Sequence, residues 1–193
     1  MLGLIQDQPL LISSLIQHAD RHHGATEIVS RPSIGPGGAG PLHRYTIRDA
    51  HRRARKLAKA LARLGIAEGD RVATLAWNNH RHLEFYYAVS GMGAVCHTIN
   101  PRLFHEQIVF IVNHAEDALV FFDLTFVPLV EKLAPACPGV RAWVAMTDRA
   151  HMPPTHGLSS MLMCYEDLID LHHDVFDWPL LDENSASSLC YTS

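Results

Sequence analysis

The chain has 193 residues, with 16 Lys and Arg against 20 Asp and Glu, and its formal net charge of −4 gives no electrostatic case for nucleic acid or an anionic membrane surface. Hydrophobic residues make up 48% and charged residues 19%, the proportions of a soluble globular protein with a real core. No stretch approaches the roughly 20 uninterrupted apolar residues of a membrane helix, so no transmembrane segment is expected.

The opening stretch, MLGLIQDQPLLISSLIQHADRHHG, lacks a basic start and carries Asp7 and Asp20, which marks it as an amphipathic helix of the mature protein rather than a signal peptide. TEIVSR follows as a short strand. PSIGPGGAGP, with no Lys-Ser/Thr after it, reads as a hairpin or surface loop rather than a phosphate cradle. Residues 1–41 therefore form a first unit of helix, strand and Gly-rich turn, and residues 42–193 an α/β unit. Thr46 can cap the next helix with Asp49 three residues on, and Gly65 ends it. Its apolar positions, Ile47, Ala50, Ala54, Leu57, Ala58, Leu61 and Leu64, share one face, which leaves seven Arg and Lys of RDAHRRARKLAKALARLG on the other, read as a solvated face.

An alternation begins at residue 70. DRVATLAW, AVCHTIN, ALVFFD and VRAWVAM read as strands; HRHLEFYYAVSGMG, HEQIVFIVNHAED and FVPLVEKLAPAC read as helices between them. ALVFFD is a continuous apolar run, as a strand buried on both faces requires. The repetition predicts an α/β fold with a mainly parallel sheet, helices on both faces and right-handed crossovers. From Thr147 the pattern breaks into a surface excursion with a Pro pair; YEDLIDLHHDVFDWPL holds one short helix, and ENSASSLCYTS returns the chain to a strand.

Residues with chemical potential are numerous but unpatterned. Cys96, Cys137, Cys164 and Cys190 form no CxxC pair and are expected to be reduced, mostly buried thiols of a cytoplasmic protein. The 14 histidines include His18 and His22 four apart, yet no third ligand stands at a recognisable spacing. In open α/β sheets, ligands sit beyond the carboxyl ends of strands. Three segments lie there: WNNHRH, INPRL and YTS. Asn78, Asn79, His80 and His82 suit a structural strand-to-helix junction, Phe85, Tyr86 and Tyr87 suit core, Gly91 and Gly93 suit close helix-to-sheet packing, and Arg102 suits an ion pair.

One long block, GDRVATLAWNNHRHLEFYYAVSGMGAVCHTINPRLFHEQIVFIVNHAEDALVFFD, followed about seventy residues later by LCYTS, closely resembles the N-terminal part of bacterial medium- and long-chain fatty-acyl-CoA synthetases of the adenylate-forming superfamily. In that family YTS opens a phosphate-binding loop continuing as GTTGxPKG, and this sequence stops at its threshold. The resemblance implies ATP and Mg²⁺, a fatty acid as substrate and CoA as co-substrate. It places Thr192 and Ser193 at ATP phosphate, with Thr192 also at the magnesium, and it implies homodimers. Catalytic residues of the family lie beyond Ser193, so the 193-residue chain alone is expected to be inactive. Two other readings stand beside it: a non-catalytic α/β binding module, and an adenylate-forming enzyme with another acceptor.

Overall fold

The computed structural model describes residue 3 and residues 7–35, 38–154, 158 and 162–192. Helix α1 (Ile12–His23) leads to strand β1 (Glu27–Ser30), a small hairpin of β2 (Ser33–Gly35) and β3 (Gly38–Ala39), and β4 (His43–Thr46), which pairs antiparallel with β1. The Gly-rich segment is thus a hairpin in its described parts. Helix α2 (Ile47–Arg63) starts at a capping box: the Asp49 amide donates to Thr46 Oγ1 at 3.2 Å, and the Thr46 amide donates to Asp49 Oδ2 at 3.1 Å. It stops where Gly65 turns into the left-handed region at φ 77°, a conformation that any Cβ would strain.

From there the chain alternates: β5 (Arg71–Leu75), α3 (His80–Gly91), β6 (Val95–Thr98), α4 (His105–His114), β7 (Leu119–Phe122), α5 (Val127–Leu133) and β8 (Ala142–Ala145). Then come β9 (Leu162–Cys164), α6 (Tyr165–Asp170) and β10 (Ser188–Leu189). The last six strands form one sheet in the order β10-β6-β5-β7-β8-β9, with every pairing parallel. The α/β expectation, with helices on both faces, holds. Because the chain adds β6 on one side of β5 and then β7 on the other, strand order reverses between β5 and β7, and the helices divide between the faces.

Each face has its own core. Leu57 and Leu61 of α2 and Phe85 and Val89 of α3 pack with Val72, Phe121 and Val144 on one side; Ile108 and Val112 of α4 and Val130 and Leu133 of α5 pack with Leu75, Val120 and Phe122 on the other. Strand β7 explains its own composition: Phe121 enters the first core, Val120 and Phe122 the second, so neither face tolerates a polar residue.

Three features depart from the sequence reading. Strand β9 pairs with β8 at the sheet edge inside what reads as irregular chain. Gly91 makes room not for the sheet but for the Trp178 ring of the returning segment, since a Cβ there meets Trp178 at 2.7 Å. The basic face of α2 stays in contact with solvent at Arg48, Arg52 and Arg63, but part of it is tied down by acidic partners. Arg53 donates to Glu84 of α3 at 2.8 Å and to both carboxylate oxygens of Glu166 of α6, and Arg52 donates to Asp174 at 2.8 Å.

Candidate functional site at the carboxyl edge of the sheet

At the β5–β7 reversal, where an open sheet commonly receives a ligand, the chain fills the crevice with its own groups. Asp123, one residue past β7 and 1% exposed, accepts from the Trp77 amide at 2.6 Å and from Asn79 Nδ2 at 3.2 Å. Burial pushes its carboxyl up, against the pull of those donors. Asn79 Oδ1 in turn accepts from the amides of Arg81 and His82 and caps α3, the structural role expected of it. His82 lies between Thr74 Oγ1 and Asn78 Oδ1 at 3.2 Å each. His80 contacts Ser30 Oγ through Nδ1 at 3.1 Å, and its ring stacks on His43 at 3.8 Å. Burial drives both imidazoles toward the neutral form, His80 down to about 2 and His82 to about 4.

Beneath this junction Arg53 of α2 enters an ion network. Glu84 is 0% exposed and joins Arg53 to the Tyr165 hydroxyl, which donates at 2.7 Å; Glu166 joins Arg53 to Arg81, whose Nε donates at 2.7 Å. Burial raises Glu84 against the pull of Arg53 and Tyr165, whose donors stand at its oxygens in place of solvent. Phe85 is core and lies 5.0 Å from Phe121, ring centre to ring centre, as expected of it; Tyr86 is exposed instead.

The opposite end of the sheet is open. Among the described residues strand β10 pairs with β6 alone, Leu189 opposite His97, and delivers Tyr191 and Thr192 past the carboxyl edge. Thr192 is exposed and, with Tyr191, borders a groove of about 380 Å³ against Leu103, Glu106, Phe110 and Ile111. Ser193 lies outside the described residues. The Tyr191 hydroxyl meets His114 Nδ1 at 2.6 Å, and its ring lies 5.3 Å from that of His97. His97 is fully buried, with Nδ1 2.9 Å from both oxygens of Asp117. Sequence reasoning missed this group: His97 meets Asp117 only once the sheet is assembled, and the pairing of β10 with β6 then brings Tyr191 to His97 and His114.

Arg102 has no ion-pair partner among the described residues; only its amide is held, by Asn100 Oδ1 at 3.0 Å. Cys96, Cys137 and Cys164 are buried free thiols and Cys190 is exposed. Among the described residues no group of three or more His, Cys, Asp or Glu is placed to hold a metal, and no helix is long and apolar enough to cross a membrane.

A parallel six-stranded sheet presenting Tyr191-Thr192 at its carboxyl edge fits the AMP-binding enzyme family, which matches residues 15–193, and the chain belongs to that family. Among curated relatives, the medium-chain-fatty-acid–CoA ligase of Ectopseudomonas oleovorans is 49% identical over 198 residues, covering 100% of this chain and 34% of its own length. The 3-methylmercaptopropionyl-CoA ligase of Ruegeria lacuscaerulensis is 50% identical over 195 residues, with the same coverage of 100% and 34%. The chain thus spans about a third of the length of the curated relatives it matches. In fold it resembles an anthranilate CoA ligase solved with anthranoyl-AMP, at a TM-score of 0.77 and 17% identity over 97% of this chain and 33% of the other.

Proposed function

We propose that this chain is the N-terminal α/β part of an acyl-CoA ligase that activates a fatty acid with ATP and passes the acyl group to CoA. One observation carries the reading: identity near 50% runs through the whole chain to relatives named as CoA ligases of aliphatic acids. The chemistry needs two steps because a carboxylate is a poor electrophile. The fatty-acid carboxylate attacks the α-phosphorus of ATP, a P–O bond to pyrophosphate breaks, and acyl-AMP forms. The CoA thiol, losing its proton, then attacks the acyl carbon, and AMP leaves with the bonding electron pair. Negative charge gathers on phosphate oxygens in the first step, where preorganised donors are most effective.

Within this chain Thr192, with Ser193 beside it, is the proposed phosphate contact. A bound Mg²⁺ supplies positive charge against the phosphates, and the exposed Thr192 hydroxyl offers it one oxygen. A single hydroxyl is not a magnesium site, and among the described residues no group of three or more His, Cys, Asp or Glu completes one. The reading favours an acid with a flexible aliphatic chain, since a fatty acid and a thioether acid are the substrates named for the two relatives. It carries with it a cytoplasmic location and a homodimer, which sedimentation of the complete gene product tests.

The decisive experiment is fatty-acid-dependent ATP–pyrophosphate exchange by the complete gene product, followed by CoA thioester formation. Exchange with thioester supports the ligase. Exchange without thioester points to another acceptor, and no exchange with any acid removes the reading. The 193-residue chain by itself, a third of such a ligase, is expected to give no acyl-AMP.

A further inference from the structure

Strand β10 is two residues long, and among the described residues it pairs with β6, with its ladder ending at Leu189 opposite His97. Yet Thr192, three residues further on, is the group that has to meet a phosphate. Backbone pairing does not hold it there. Side chains hold Tyr191 instead. Its hydroxyl lies 2.6 Å from His114 Nδ1 at the last residue of α4, and its ring lies 5.3 Å from His97 and edge-on to His114 at 5.9 Å. Both supports are themselves fixed. Phe110, one turn earlier on α4, stacks on the His114 ring at 5.2 Å at the surface, and in the interior Asp117 grips His97 Nδ1 with both oxygens at 2.9 Å.

Resting on the ligase reading, we propose that His114 is a positioning residue for the adenylation step: by accepting the Tyr191 hydroxyl proton at Nδ1 it fixes the end of β10 and so aims Thr192 at ATP phosphate. A neutral imidazole with its proton on Nε2 presents Nδ1 as that acceptor. The bond ties the strand end to a ten-residue helix rooted in the second core, so the Thr192 hydroxyl is set before ATP arrives. Its benefit is preorganisation, which appears as nucleotide affinity and not as fold stability, because His114 is exposed.

The test uses the complete gene product with the substitutions His114→Ala, Tyr191→Phe, both together, and His114→Asn. Removing one hydrogen bond of about 1 to 1.4 kcal/mol raises KM for ATP about fivefold to tenfold in pyrophosphate exchange. KM for the fatty acid and the melting temperature should stay at wild-type values, which a merely structural residue does not allow. The double variant should be no worse than either single one. Asn, whose Oδ1 can stand near the place of Nδ1, should restore KM to within about twofold. Deuterium uptake at residues 190–192 should quicken in His114→Ala and nowhere else. An unchanged KM for ATP in His114→Ala, with active wild type, overturns this proposal alone; a wild type without exchange overturns the ligase reading and this proposal with it.

Discussion

The β5–β7 junction and the free end of β10 both lie at the carboxyl edge of one parallel sheet, and they are built in opposite ways. At the junction, Asp123 is 1% exposed and its oxygens are taken by Trp77 and Asn79. At the end of β10, Thr192 is exposed beside a groove and Tyr191 is held by two histidines. Strand order reverses at the first place, so topology alone puts a ligand there. The difference teaches that carboxyl-edge topology alone does not make a free site: at the β5–β7 junction the hydrogen-bonding capacity is already spent within the chain, whereas the proposed phosphate contact at Thr192 carries none of that demand. The junction therefore answers to stability measurements, and the strand end to nucleotide measurements.

The largest effect is expected at Asp123. Asp123→Ala leaves the Trp77 amide and Asn79 Nδ2 in a buried site without their acceptor, which costs about 2–4 kcal/mol. Urea unfolding measures this directly, and a loss below about 0.5 kcal/mol would show that the crevice is not the closed structure described.

Acid should strike the same junction next. His80 and His82 are held neutral, at about 2 and about 4 against an ordinary 6.5, so the folded chain binds fewer protons than the unfolded chain below that value. Their contribution is fully present above about pH 6.5 and is lost as pH falls, down to about 4 for His82 and about 2 for His80. Each group removes on the order of 1 kcal/mol per pH unit in its window. Asp20 is pulled below 3.8 by hydrogen bonds from His51 and Arg48 that outweigh its burial, and Asp49 by its bonds to Thr46. Those two carboxylates lose stability only in more acid solution. His82→Gln should flatten the decline in unfolding free energy between about pH 7 and pH 5 by about 1–2 kcal/mol; an equally steep decline would remove His82 as the source. A smaller effect, about 1–2 kcal/mol, is expected from Asn79→Ala, which removes the α3 cap and one donor to Asp123; Asn79→Asp keeps the cap but should not restore stability, because it sets a second carboxylate beside Asp123 in place of that donor.

Much of this architecture is written in local pattern. Continuous apolar runs such as Leu119–Phe122 announce buried strands, and Thr46 with Asp49 announces the start of α2, because each signal lies within one element. What escapes the sequence is long-range. Strand β9 is three residues whose pairing is supplied by the β8 backbone. Arg53 of α2 reads as one more solvated cation until α6 places Glu166 on it, 113 positions away, and α3 buries Glu84 beneath it. The groups at the β10 end divide the same way. Thr192 is legible through the YTS resemblance, whereas His97, His114 and Asp117 carry no mark until the sheet closes and β10 docks against β6.

Thr192→Val is the smallest change to the fold and the sharpest test of the contrast with Asp123. Valine keeps the shape and β-branching of threonine and removes only a hydroxyl that is exposed at the end of β10. Unfolding free energy should therefore move by no more than about 0.5 kcal/mol. In the complete gene product, pyrophosphate exchange should fall about tenfold in kcat/KM for ATP, while Thr192→Ser, which keeps the oxygen, should stay within about threefold of wild type. If valine leaves exchange intact, the strand end is only another edge of the sheet and Thr192 does not meet a phosphate. If valine destabilises the fold by several kcal/mol, the hydroxyl is structural after all, and the division between a spent junction and an unspent edge fails at its defining residue.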